Sequence, residues 1–163
     1  VKGSIAYLTA RQDGLWLVDV SDPAKPALII SGAKPVLAGN TPDTTLYAWT
    51  DGVCPLGEKL LIIKRGKYAL LDPNERRNAS ELPAYGVDAL RLVGRPVVGG
   101  DVLAFSSRHQ REVWTLDIAD IQHPRLKRHY SLTGNPGACG FWRDRVVISA
   151  GYQGLLVERR TPH

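Results

Sequence analysis

The residues of this sequence best equipped for chemistry are few: two thiols, Cys54 and Cys139, and three carboxylates among turns and Gly-rich segments, Asp43, Asp51 and Asp88. The thiols would serve as metal ligands or as a redox pair, given His or Cys partners within bonding reach. The carboxylates would hold a divalent cation such as calcium, or act as a general base. Each residue type also has a plainer use. A small thiol packs as an apolar group, and an Asp in a turn hydrogen-bonds its own backbone. The sequence contains no CxxC pair, no dense run of oxygen ligands, and no P-loop, HExxH, Ser-His-Asp order or dinucleotide glycine pattern. Asp43, Asp51, Cys54, Asp88 and Cys139 are therefore candidate binding positions. No catalytic residue or metal-ligand set is assigned, and no cofactor is expected beyond such a cation.

A second group of acids is set apart by repetition. An apolar strand ending in Asp and followed by a polar turn with Pro runs from Gly14 to Pro23, through Leu15-Trp16-Leu17-Val18-Asp19. It returns as Glu112-Val113-Trp114-Thr115-Leu116-Asp117, ahead of Asp120 and Pro124. Weaker copies stand at Tyr68-Ala69-Leu70-Leu71-Asp72-Pro73 and at Gly154-Leu155-Leu156-Val157-Glu158. Self-similarity at a spacing of roughly 40 to 50 residues marks a stacked or circular array. Because Asp19, Asp72 and Asp117 recur at equivalent places, they are expected to shape a turn in every unit rather than to perform one reaction.

The elements that would position these residues are short strands. Each copy has a small-residue segment, a turn, a β-rich strand, a second turn and then the Asp-ending strand. The last reads Gly137 to Phe141, Val146 to Ser149 and Leu155 to Glu158; the third runs through Val102 to Phe105 and Val113 to Leu116. Turns of about two to four residues with Gly or Asp join antiparallel strands. A polar fourth strand follows in two copies, Pro26 to Ile30 and Arg125 to Ser131, where charge suits an outer edge. Pro and Gly interrupt the longer windows, which argues against helices. Apolar runs such as Leu60-Leu61-Ile62-Ile63 require cover on both faces, which small sheets stacked around an axis provide. The fold predicted is all-β, a β-propeller of four-stranded antiparallel blades, with about four blade equivalents near 1–36, 50–88, 89–134 and 135–163 in a single propeller portion.

The wording Leu15 to Pro26, preceded by Ala6-Tyr7-Leu8-Thr9, resembles the LVIVD repeat of bacterial and archaeal β-propeller proteins, and Val113 to Pro124 is similar. The resemblance implies a structural repeat in cell-surface or exported proteins and carries no catalytic residue to this chain. Two copies depart from it: Asp72-Pro73 lacks the intervening residues, and Glu158 replaces Asp. Tyr47-Ala48-Trp49-Thr50-Asp51 approximates the YWTD motif of receptor propellers, but it carries an extra Ala and occurs once.

Strand counting predicts an arc. The first copy begins at its second strand and the last ends at its third, whereas propellers close with about four to eight blades. With no Met in its 163 residues, the chain is expected to be the C-terminal part of a larger propeller, its ring completed by the remainder, a second copy or another chain, the alternative being a compact four-bladed ring in which Val1 to Ala10 and the tail close on each other. A net charge of +5 arises from scattered basic pairs without a stripe or stacking aromatics, so no nucleic-acid partner is expected. No apolar run is long enough for a transmembrane segment. Asn78-Ala79-Ser80 is a glycosylation sequon in a secretory eukaryotic setting. The function expected is a non-catalytic scaffold, extracellular, periplasmic or cell-surface, for protein or carbohydrate interaction. The alternatives are a metal-assisted hydrolase or lactonase, or part of a larger propeller enzyme.

Overall fold

A computed structural model of the chain describes residues 3–9, 15–29, 50–72 and 82–159. Asp43, the 78–80 sequon and the turn before Leu15 lie outside the described residues. The chain divides into two units, Val1–Ala84 and Tyr85–His163.

In the first unit, Ile5–Thr9 (β1), Leu15–Asp19 (β2) and Ala27–Ile29 (β3) form one antiparallel sheet in the order β1-β2-β3. Thr50–Leu56 (β4), Lys59–Lys64 (β5) and Lys67–Leu71 (β6) form a second, in the order β4-β5-β6. The run Leu60 to Ile63 is wholly buried, although neighbouring side chains of a strand point to opposite faces. Leu60 and Ile62 pack with Leu15, Leu17, Ala69 and Leu71 in one cluster, joined at its margin by Ile5, Tyr7 and Val53. Burying one such side chain contributes about 1.5–3 kcal/mol before entropy is charged against it. The alternation in β2, where Leu15 and Leu17 are buried and Trp16 and Val18 are half-buried, places the apolar face of the first sheet toward β5.

The second unit begins with a four-stranded sheet. Pro96–Gly99 (β7), Val102–Ser107 (β8), Glu112–Asp117 (β9) and Arg125–Ser131 (β10) follow one another in chain order, each paired antiparallel with the next. Cys139–Trp142 (β11), Arg145–Ser149 (β12) and Leu155–Val157 (β13) form a three-stranded sheet. A single 3-10 turn at Gly151–Gln153 stands between its last two strands. Ala104 and Val113 of one sheet and Val146, Ile148 and Ala150 of the other make a common core, with Val97, Cys139 and Phe141 packed on it.

The strand-by-strand expectation matches these four sheets. A complete four-stranded blade occurs at β7 to β10. The first sheet contains the second to fourth strands of the pattern, the last contains the first three, and the place for a strand after β6 falls outside the described residues. Outer strand β10 is exposed nearly throughout, and its register against β9 shifts between Leu126 and Arg128, leaving Lys127 as an extra residue. A bulge and charge together blunt an edge that would otherwise invite another strand.

The repeated Asp proves to be a turn device in the two strong copies. Asp19 Oδ1 accepts the Ser21 amide at 2.8 Å, and Asp117 Oδ1 accepts the Ala119 amide at 3.0 Å. Three residues after each, the pattern is used again: Asp22 accepts from Ala24 and Asp120 from Gln122, both at 3.0 Å. Each strand therefore leaves its sheet through two successive Asx turns. The amide of Ser21 holds the Asp19 carboxyl below the usual carboxylate range, and His123 does the same for Asp120. A depressed carboxyl supports folding above its ordinary titration range and loses that support as pH falls through the lowered value. In an acid titration followed by amide NMR, the Ser21 and Gln122 resonances are expected to move together with the Asp19 and Asp120 carboxyls, below the range of an unstructured Asp. Midpoints at the ordinary value would remove the turn assignment.

Glu158, the substitute for Asp in the last copy, has another use. Its carboxylate takes hydrogen bonds from Arg128, from the Tyr130 hydroxyl at 2.9 Å and from the Val146 amide at 3.2 Å. Its own amide donates to the Val146 carbonyl at 3.0 Å. The longer acid reaches back across the unit and ties outer strand β10 to β12. Burial and Glu158 together push the Tyr130 phenol up to about 12.

Candidate functional site

Of the five sequence candidates, Asp43 lies outside the described residues, Asp51 and Cys54 belong to the first unit, and Asp88 and Cys139 to the second. Asp51 is exposed on β4, at a break in register between Thr50 and Gly52 that leaves it the extra residue of a bulge. Asp88 is exposed in a turn closed by the Leu90 amide on the Val87 carbonyl at 3.2 Å. Cys54 is buried on β4 in the first unit and Cys139 half-buried on β11 in the second, and neither is in a disulfide. Among the described residues, no group of three His, Cys, Asp or Glu side chains gathers as a metal would require.

Burial pushes the Cys54 thiol up to about 12 and Cys139 up to about 11, the latter despite a hydrogen bond with Ser106 that acts the other way. Both are therefore neutral packing groups near neutral pH, since the thiolate is the nucleophile. Their contribution to stability is present below the ordinary thiol range and is lost as pH rises through about 11 and 12. At pH 7.5, iodoacetamide is expected to leave both thiols of the folded chain largely unlabelled and to label both in denaturant, as mass spectrometry would read. Rapid labelling of Cys54 in the folded state would overturn the packing role.

A cavity does exist, in the second unit, at a place the sequence reading did not single out. It has a volume of about 820 Å³ and is lined by four segments: Arg91 to Arg95 before β7, Ser106 to Gln110 at and beyond the end of β8, Asn135 to Ala138 before β11, and Ser149 with Gly151 at and beyond the end of β12. Because β7 and β8 are antiparallel, as are β11 and β12, the start of one strand and the finish of the next share an end of the sheet. All four segments meet at that end. The cavity follows from topology, which is why residues far apart in sequence line it.

Close backbone approach holds its walls. The Ser106 hydroxyl donates to the Gly137 carbonyl at 2.7 Å, bridging the two sheets of the unit. The Gly137 amide donates to the Ser149 carbonyl at 2.7 Å, locking the entry to β11 against the end of β12. In the first of these sheets Gly94 does the equivalent work, lying so near the Ser106 carbonyl that a methyl group would have no room. The hairpin from Ser107 to Glu112 is drawn in by the Gln110 amide on the Ser107 hydroxyl at 3.3 Å.

The chemistry of the lining is one-sided. Among the described residues the lining brings together Arg91, Arg95 and Arg108 with His109, the Gln110 and Asn135 amides and three serines, and includes no Asp or Glu. Such a set donates hydrogen bonds and attracts negative charge. The signal that could have located it is the recurrence of Ser at the end of the second strand, Ser106 and Ser149, with Gly in the segment ahead of the first, Gly94 and Gly137.

Comparison with known proteins agrees with this architecture. Residues 1–32 match the model of the LVIVD repeat. The computationally designed Ika8 protein is similar in structure, with a TM-score of 0.54 at 10% identity over 96% of this chain and 56% of that one. PorZ, described as an essential bacterial surface component of the type-IX secretion system of Porphyromonas gingivalis, gives 0.55 at 15% identity over 96% and 24%. The β-propeller domain of Myceliophteria thermophila Cps50 (Swd1) gives 0.50 at 14% identity over 94% and 54%. No curated protein matches the chain in sequence. The chain spans about half the length of the first and third of these structures and a quarter of the second. It is a partial β-propeller, with four small antiparallel sheets among the described residues as its blades.

Proposed function

We propose that this partial propeller, with an LVIVD repeat at its start, belongs to an exported or cell-surface binding scaffold and engages its partner at the loop-bearing end of its last two blades. The observation that carries the reading is the cavity there: a preformed frame of backbone contacts lined by cations and hydrogen-bond donors. Ligand sites of small proteins are concave, pre-formed and supplied with a few placed polar groups, and this cavity has that form. Partner chemistry is that of a protein segment or a carbohydrate. Surface location is supported by the role of PorZ as a bacterial surface component. Further blades, from the same protein, a second copy or another chain, complete the ring.

The test has two arms. Amide NMR of the chain, titrated with a panel of soluble oligosaccharides and peptides, should show saturable shifts confined to Arg91–Arg95, Ser106–Gln110 and Asn135–Ala138. Mass spectrometry of the bound ligand should then recover it unchanged. Shifts clustered on the opposite ends of the strands, or conversion of the ligand, would defeat the reading. In the source cells, protease added outside intact cells should degrade the protein; complete protection with the envelope permeabilised as a positive control would remove the surface assignment.

A further inference from the structure

The cavity's charge says more about the occupant than its shape does. Elsewhere in the second unit several basic side chains face acidic partners: Arg128 a carboxylate of Glu158, His123 Asp120 at 2.9 Å, and His129 Glu112 at 3.3 Å. Arg145 and Arg143 lie over the Trp142 ring, 4.3 and 5.3 Å from its centre. Arg91, Arg95 and Arg108 line one cavity, and no Asp or Glu is among its described lining residues. Like charges held together repel, and a bound anion removes that repulsion. A guanidinium presents a planar fork of donors that matches carboxylate and phosphate oxygens two at a time.

The rest of the lining defines the body of the ligand. Asn135 and Gln110 offer both donors and acceptors, as do the Ser107 and Ser149 hydroxyls, while Ser106, its proton given to the Gly137 carbonyl, keeps only an acceptor. An acceptor has no use toward a fully ionised oxyanion, but it suits hydroxyl groups beside one. The volume of about 820 Å³ lies within the usual span of small-molecule sites, about 300–1,000 Å³, and exceeds what a lone inorganic anion fills. The walls are already joined through Ser106 and Gly137 and through Gly137 and Ser149, so little ordering opposes binding.

Resting on the binding reading above, we infer that this cavity is a site for a small polyhydroxylated organic acid, a sugar carrying a carboxylate or a phosphate, whose oxyanion is held by the lining arginines Arg91, Arg95 and Arg108. The hydroxyls are taken by the Asn135 and Gln110 amides.

Isothermal titration and amide NMR of the 163-residue chain test this with four probes: digalacturonate, glucose 6-phosphate, glucose and inorganic phosphate. One or both of the acidic sugars should saturate the site with shifts at the cavity residues, while glucose and inorganic phosphate bind about tenfold more weakly or worse. Saturation by digalacturonate alone, or by glucose 6-phosphate alone, supports the assignment and identifies the oxyanion. The pair R95A and R108A together should weaken binding of the acid about tenfold or more, with R95K and R108K partly restoring it, and added salt should weaken it further. R125A, a change on exposed β10 away from the cavity, should leave binding as it was. These arginines are exposed, so an unchanged circular dichroism spectrum is expected for every variant. Glucose binding as tightly as the acids, or acid binding indifferent to the arginine pair, would overturn the anion assignment while leaving a neutral-ligand scaffold standing. If the peptide and oligosaccharide panel also produces no shift at the cavity, the binding reading falls with it.

Discussion

Gly94→Ala is expected to lower the unfolding free energy of the chain by about 3 kcal/mol or more, placing it among the most damaging single substitutions available outside the core. Two physical terms add. The backbone at Gly94 has a φ of +83°, a region in which a side chain costs about 1–2 kcal/mol. A methyl group there would also stand 2.1 Å from the Ser106 carbonyl oxygen, a backbone atom fixed in β8 that cannot swing aside. Either the connection bearing Arg91 and Arg95 lifts away from the sheet, or β8 bends. Both change the cavity, so ligand binding should fail in this variant even where the chain still folds. Gly57→Ala is the control. Its φ of +54° is also positive, but nothing stands within 4 Å of the added carbon, so it should cost only about 1–2 kcal/mol. Chemical denaturation followed by tryptophan fluorescence would compare them, and equal losses for the two would show that Gly94 is not a point of close approach.

Phe105→Ala should cost about 3–5 kcal/mol, the range for emptying a buried aromatic position. Phe105 is fully buried in β8, opposite Pro96 on one side and Trp114 on the other, so three strands lose a common filler at once. It immediately precedes Ser106, whose hydroxyl bridges the two sheets of the unit, and loss of the ring loosens that wall of the cavity as well. Leu126→Ala, on outer strand β10 and nearly half exposed, should stay within about 0.5 kcal/mol of the parent. A loss for Phe105→Ala no larger than that for Leu126→Ala would mean that the four-stranded sheet is not packed on both faces.

Architecture was largely legible because the information it needs is local and repeated. Apolar runs flanked by Gly and Asp turns specify short antiparallel strands wherever they occur. The fully apolar Leu60 to Ile63 announced cover on both faces, which the packing of Leu60 and Ile62 on the first sheet explains for one face. The Asp of the repeated phrase could be read as a turn residue because an Asx turn involves atoms only two residues apart, as at Asp19 and Ser21. Where the copies diverged, sequence reasoning was blind to the consequence. Glu158 looked like a worn Asp, but its longer side chain bonds with Arg128 and Tyr130, roughly thirty residues earlier.

The candidate site was much less legible. Cys54, Cys139, Asp51 and Asp88 attracted attention by residue type, yet reactivity depends on neighbours. Burial leaves the two thiols protonated, and the two carboxylates stand exposed on different units. The cavity residues attracted little, since Arg91, Arg95 and Arg108 look like ordinary surface charge when read along the chain.

By itself, then, the sequence determined the period, the strand grammar and the turn chemistry, because each is set by contacts within one hairpin. Only the tertiary structure decided which loops share an end, and therefore that three arginines, two amides and the serines that close β8 and β12 surround one space. Hairpin signals are written in neighbouring residues. A site made from the ends of two stacked sheets depends on strand direction and register across more than fifty residues, from Arg91 to Gly151, and that relation exists only after the blades have packed.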